Sequence, residues 1–349
     1  MHPLVKTFVL MALGFGTTFT FASSHLFAAW IGLEINALAI LPFLTFKPFP
    51  RATEATTKYF LVQAAASSLM LFGTLVNAST VGHWDVDKMT SPFAVLIIIV
   101  ALSFKLGLAP LHSWMPGVLQ GLDLKAGLII ATWQKLAPFA LLVYLPHQCT
   151  ITLFIFGVLS VIVAGFGGIF NTQIRKVLAY SSIGHLGWIV LVLQFNITLA
   201  LVALGTYILL TTAAFLTLNF SKNSIWTVAA FAWAHEPVIF ALGPFILLSL
   251  AGIPPLTGFI PKFLIVYELM VQTQVFLAIV LTYASLTVMY FYFRVGYLVS
   301  LMKMPAFASG TLHWRKKGKN APTLLAMLAL CSFVLLPLVP SIATIMAFW

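Results

Sequence analysis

The chain has 349 residues, 61% of them hydrophobic and only 7% charged, with 18 Lys and Arg against 7 Asp and Glu. Soluble domains carry about 25% charged residues to keep their surface wet, so this composition excludes a water-soluble enzyme and specifies a polytopic membrane protein. The net charge of +11 comes from basic residues scattered between apolar spans, which leaves no domain to hold a duplex and no nucleic-acid partner.

In hydrocarbon every backbone amide must be satisfied within its own segment, so the spanning elements are helices of about 20 apolar residues. That rule predicts an all-α chain with about eleven spans. They lie near 3–21, 24–45, 55–77, 92–111, 125–145, 150–170, 175–195, 198–220, 239–270, 275–299 and 321–346. The first starts close to the N-terminus without an Arg-rich presequence or a clear cleavage site, and reads as a retained helix. The second carries Glu34 in AAWIGLEINALAI. The third lines up Thr56, Gln63, Ser67 and Thr74 at helical spacing, a stripe read mainly as interhelical glue. The fourth holds Lys105, Pro110, His112 and Pro116 in KLGLAPLHSWMP, the fifth Lys135 and Pro138, and the seventh Ser181, Ser182 and His185 in YSSIGHLGW. Between the eighth and ninth spans, Lys222 to Pro237 is more amphipathic and reads as a surface-lying segment or an ordinary loop. The ninth contains GIPPLTGFIPK, with Pro254, Pro255, Gly258 and Pro261 just before Lys262.

Loops alternate sides, so the basic residues sort into two groups. Lys47, Arg51, Lys125, Lys222, Lys303, Arg315, Lys316, Lys317 and Lys319 fall on the N-terminal side, and Lys6, Lys58, Arg175 and Lys176 lie at helix ends facing it. The opposite side has Lys88, accompanied by Asp85 and Asp87. The positive-inside rule then predicts an N-terminus in the cytoplasm or matrix and a C-terminus outside.

Glu34, Lys105, Lys135 and Lys262 remain at mid-span, where a charge costs on the order of 2.5–3.5 kcal/mol on insertion scales. One such lysine could snorkel to an interface, but four central charges point to a protein interior or a water-filled path. Proline removes an amide donor and clashes with the turn before it, so the fourth and ninth spans are expected to break at depth. Groups freed inside a membrane are tolerated where they line a cavity or are buried in protein. Each broken span is the fourth of a set of five. This predicts two inverted five-helix repeats, about 3–145 and about 150–299, with an extra helix at about 321–346.

His112, across the break from Lys105, and His185 are secondary relay candidates, because imidazole gains and loses protons near neutrality. No metal centre is expected, since no two histidines have ligand spacing and HEPVI at 235–239 is not the zinc signature H-E-x-x-H. Cys149 and Cys331 are too few for an iron–sulfur cluster or a disulfide framework. Neither G-x-G-x-x-G nor a P-loop occurs, so no nucleotide cofactor is expected on this chain. Asn77 and Asn196 are short N-x-[ST] matches.

LEINALAI, TTKYFLVQAAASSLMLF, FKLGLAPLHSWMPGVLQG, TWQKLAPFALL, RKVLAYSSIGHLGW and LSLAGIPPLTGFIPKF, in this order, resemble the antiporter-like membrane subunits of respiratory complex I. The resemblance runs over nearly the whole chain and is weakest at 79–91, 222–236 and 300–320. It implies a multi-pass subunit of the mitochondrial inner membrane, with its N-terminus in the matrix and its C-terminus in the intermembrane space. It also implies that the chain lacks an N-terminal helical bundle present in bacterial relatives. The family pattern has a Glu and a Lys in the first half, a central Lys and a second-half Lys; Glu34, Lys105, Lys135 and Lys262 match it. The implied partners are neighbouring antiporter-like and small membrane subunits, membrane lipids and protons, with bound phospholipid as a further ligand. NADH, FMN, iron–sulfur clusters and ubiquinone are expected in other subunits, with no redox centre here.

Physically, the negative charge of Glu34 would favour a protonated Lys105, and separating the pair would push the proton toward Lys135, then Lys262 and out at the second break. One rival is a stand-alone cation/proton antiporter, for which carboxylates and carbonyls make better ligands than lysines. Another is a purely structural spacer, which predicts that the buried charges can be neutralised without loss of pumping.

Overall fold

The computed structural model describes residues 3–46, 49–145, 150–221 and 237–301. The predicted helix at 321–346, almost all of the amphipathic stretch, Cys149, Cys331 and the loop residues Lys47, Lys222, Lys303, Arg315, Lys316, Lys317 and Lys319 lie outside them. The described residues are helical apart from turns and isolated bridges, among them the one between His25 and Asp85. Counting Leu124–Tyr144 as one, 7 helices among the described residues are long and apolar enough to cross a membrane. The chain is a multi-pass helical membrane protein, and it divides into two compact units between Ser160 and Val161.

The first unit contains α1 (Pro3–Ala22), α2 (Leu26–Leu44), α3 (Pro50–Val81), α4 (Pro92–Leu106), α5 (Trp114–Gly121), α6 (Leu124–Ala131) and α7 (Trp133–Tyr144). The polar stripe of α3 is buried throughout. Thr56, Ser67 and Thr74 donate back to their own helix, at Ala52 O (2.9 Å), Ala64 O (2.9 Å) and Leu71 O (2.7 Å). Satisfied this way, they pack at an interface without an exposed polar group. Gln63 alone of the stripe reaches the site described below.

The fourth predicted span is interrupted, and earlier than the prolines require. Helix α4 stops at Leu106 because Gly107 adopts φ 75°, and its N–H returns to Ser103 O at 2.9 Å. A left-handed glycine followed by a proline is a common helix stop, since glycine has no Cβ to clash there. At 15 residues α4 is about 22 Å long, short of the roughly 30 Å hydrocarbon layer, so the span is completed by a second piece, α5. The fifth predicted span, expected as one helix, is two. They meet at Thr132 (φ −116°, ψ −69°), one residue before α7 and three before Lys135.

The second unit takes in the end of α8 (Thr150–Ile169), then α9 (Ile174–Val192), α10 (Ile197–Ser221), α11 (Pro237–Ala251), α12 (Phe259–Val271) and α13 (Val275–Leu301). Here too the break begins at a left-handed glycine, Gly252 (φ 81°), directly after α11. The connection folds back tightly: a Cβ on Gly258 would sit 1.8 Å from Ser249 O, so only glycine fits at the start of α12.

Both N-x-[ST] matches have local structural roles. Asn77 is fully buried, donating to His83 O and accepting from Ser91 Oγ, both at 3.2 Å. Asn196 caps α10 by accepting from the Leu199 N–H at 3.2 Å. The α3–α4 loop is tied to the α1–α2 turn by Leu26 N to Trp84 O (2.8 Å) and Val86 N to Ser24 O (2.9 Å). In that loop Lys88 pairs with Asp85 at 2.9 Å, holding the carboxyl below the usual carboxylate range and the ammonium above the usual lysine range.

Candidate proton-relay sites

In the first unit the end of α4 is where the ionisable groups converge. Residues Lys105 and Lys135 line one small polar cavity together with Asn36, Tyr59, Gln63 and Gln134. Its volume is about 10 Å³, close to what a single water needs. Lys135 is 1% exposed. Its ammonium donates to Leu106 O, the last helical carbonyl of α4, and stands 5.4 Å from the centre of the Trp114 ring and 3.7 Å from Met115 Sδ. The Trp114 indole donates to Phe104 O at 3.2 Å. The break at Gly107 ends the helical ladder, and two of its last carbonyls gain side-chain donors: Lys135 on Leu106 O, and Trp114 on Phe104 O, which also accepts from the Gly107 N–H at 3.1 Å.

Lys105 is buried in the last turn of α4, and its Nζ has no hydrogen-bond partner. Glu34 Oε2 is likewise buried and unpartnered. The two act on each other electrostatically through space and make no ion pair. Contact between them would therefore require side-chain movement or an intervening water. His112 lies in the non-helical segment between α4 and α5, part-exposed, hydrogen-bonding the Pro110 backbone and outside the cavity lining.

In the second unit Lys262, on α12, donates to Ala251 O at 2.7 Å, the last helical carbonyl of α11. His185, on α9, bonds the neighbouring carbonyl, Leu250 O. Each break therefore presents the same motif, a lysine ammonium on the carbonyl immediately before a left-handed glycine. Sequence spacing paired Lys105 with Lys262, because both sit beside prolines. In hydrogen bonding, Lys135 is the counterpart of Lys262.

Several site residues escaped the sequence reading. Gln134 donates to Asn36 O and Oδ1, both at 3.2 Å, joining α7 to α2 beside Lys135. Tyr59 packs edge-on to Trp114 with centroids 5.9 Å apart. Tyr207 and Tyr292 are buried near His185 and Ser181. A tyrosine in an apolar helix carries little signal, but Gln134 beside Lys135 at mid-span was visible as a polar pair. Among the described residues no group of three His, Cys, Asp or Glu is placed to hold a metal ion.

Comparison with known proteins places this architecture. The family described as NADH:quinone oxidoreductase/Mrp antiporter, TM matches residues 23–287, and NADH dehydrogenase subunit 2 C-terminus matches residues 289–343. NADH-ubiquinone oxidoreductase chain 2 of Tetraodon nigroviridis is 47% identical over 345 residues, 99% of each chain. That of Carassius auratus is 47% identical over 346 residues, again 99% of each. A chain of respiratory complex I from Thermus thermophilus superposes with a TM-score of 0.80 at 25% identity, covering 94% of this chain and 78% of that one. Identity of this degree along essentially the whole length shows that the chain belongs to the NADH-ubiquinone oxidoreductase chain 2 family.

Proposed function

We propose that this chain is a core membrane-arm subunit of complex I in the mitochondrial inner membrane, and that it carries protons through Glu34, Lys105, Lys135 and Lys262, with His112 and His185 in secondary roles. The observation that carries the reading is the pair of breaks, each with a lysine on the carbonyl before the glycine. In the first unit Lys105 and Lys135 share a cavity of one-water size, so a proton can pass between them without either leaving its helix. Glu34 sets the occupancy of Lys105 through its field, and its approach or withdrawal loads or unloads that lysine. Moving one charge against 100 mV costs about 2.3 kcal/mol, and that work comes from redox chemistry in other subunits, which hold the NADH, FMN, iron–sulfur and ubiquinone sites.

The two units correspond in this reading to repeats at about 3–145 and 150–299 in opposite orientations, with the N-terminus in the matrix and the C-terminus in the intermembrane space. Two experiments test it. On a native gel from mild-detergent extracts, the chain is expected to co-migrate with a large NADH-oxidising band; migration as a small species away from that activity would favour the independent antiporter. In the assembled complex Lys105→Met is expected to lower proton pumping per NADH, and unchanged pumping rejects the relay.

A further inference from the structure

Helix α7 carries Lys135 but begins at a joint that its own backbone holds loosely. The α6 ladder ends at Thr132, whose hydroxyl turns back to Leu128 O at 2.7 Å and does not cap α7. Across the joint, Lys135 N–H reaches Thr132 O at 3.2 Å, a tight 3₁₀-type bond of poorer geometry than a helical one. Gln134 ties this turn to another helix. Its Nε2 donates to Asn36 O and to Asn36 Oδ1 on α2, both at 3.2 Å. A backbone carbonyl can only accept, so the Gln134 amide must present Nε2 to α2, and that donor in turn sets Asn36 with Oδ1 toward it. Asn36 is 1% exposed, and its stretch of α2 is seated on α1. A Cβ on Gly16 would stand 3.0 Å from Asn36 N, and one on Gly32 would stand 2.5 Å from Thr20 Cγ2. Glu34 lies between these two points of close approach.

We propose that Gln134, anchored on Asn36, is a positioning residue of the relay, holding the first turn of α7 so that the Lys135 ammonium stays on Leu106 O. The proposal rests on the relay reading above. Gln134 and Lys135 point about 100° apart around α7. One is tied to α2 and the other to the end of α4, so fixing the first sets the rotation and height of the second. Both amides line the cavity that Lys105 and Lys135 share. Their neutrality matters there. A carboxylate in the place of either amide would hold the lysine proton by its field, whereas two amides fix the geometry and leave that proton free to move. The same clamp ties Lys135 to the stretch of α2 that carries Glu34, so the two ends of the first-unit relay share one frame.

Gln134→Met keeps the length of the side chain and removes the donor. In the assembled complex it is expected to lower proton pumping per NADH several-fold in proteoliposomes, and electron cryo-microscopy is expected to show Lys135 Nζ displaced from Leu106 O. A merely structural role would reduce the amount of complex and leave the ratio of protons to NADH unchanged. Wild-type pumping per NADH, or Lys135 still seated on Leu106 O, overturns the proposal. Asn36→Leu removes Oδ1 but keeps the backbone carbonyl, so a milder loss in the same direction is expected. If Gln134→Met does not assemble, Asn36→Leu decides by the same two readings. Lys135→Met separates the two claims. Wild-type pumping in that variant rejects the relay itself, whereas loss there with normal pumping in Gln134→Met rejects only the positioning role.

Discussion

Lys135 illustrates how a membrane interior keeps a lysine without a carboxylate. Its ammonium is offered a carbonyl at the end of a half-helix and the face of an indole, both of which favour positive charge. Trp114 therefore has two separable jobs. Trp114→Phe keeps a ring beneath Lys135 but removes the indole donor from Phe104 O, which keeps the Gly107 N–H at 3.1 Å, and is expected to cost about 0.5–1.5 kcal/mol of stability. Trp114→Ala removes the packing as well, for roughly 3–5 kcal/mol. Thermal denaturation of the detergent-solubilised complex ranks them, and equal losses would show that the ring contributes nothing. At the surface, the Asp85–Lys88 pair makes a pH-dependent contribution to the α3–α4 loop. The carboxyl is held low, so its share is present above the usual carboxylate range near pH 4 and fades as the pH falls through the lowered value. The ammonium is held high, so its share persists to alkaline pH and fades only above the usual lysine range. The protection of amides 82–91 against hydrogen exchange, taken relative to the intrinsic rate at each pH, is expected to fall slightly in acid, and less so in high salt, because exposed pairs are screened.

At the scale of elements, the breaks are made by glycines and only reinforced by prolines. Gly258→Ala would place a methyl 1.8 Å from the Ser249 carbonyl oxygen, forcing α12 and Lys262 off the end of α11. Gly252→Ala would strain a φ of 81° and press on the Lys262 side chain, 3.0 Å away. Both are expected to abolish pumping or assembly on native gels, whereas Gly117→Ala, with open space around it, is expected to behave as wild type. Much of this was legible in the sequence. The twenty-residue apolar runs gave most helices, and Pro110 and Pro254 marked the two interruptions. The start of each interruption was not legible, because the left-handed state of Gly107 and Gly252 depends on what packs there. Nor was the lodging of Lys135 on Leu106, which joins residues 29 apart in sequence. The third-helix stripe read correctly as structural, except at Gln63, whose direction depends on the cavity beside it. Thr132 is a joint that no residue in its neighbourhood announces.

For the whole molecule, orientation can be checked independently of mechanism. With Cys149 and Cys331 replaced by Ser, a cysteine at Lys88 is expected to react with a membrane-impermeant maleimide from the intermembrane-space side of intact mitoplasts. A cysteine at Lys58 is expected to react only after the membrane is opened. The reverse pattern would invert the topology and with it the direction of every transfer step. The two units carry the same terminal device, a lysine on the last carbonyl of a half-helix. Lys135→Met and Lys262→Met are therefore each expected to lower proton pumping per NADH, each through its own unit.

The lodging of Lys135 and Lys262 has a mechanical consequence. An amine that has lost its proton still has two hydrogens, and one of them can stay on the same carbonyl. Neither side chain needs a new partner when its charge departs. Such a site can cycle between loaded and empty with its nitrogen nearly stationary, so turnover there is not limited by the swing of a long arm, and the protein is spared refilling a hole left by a displaced side chain.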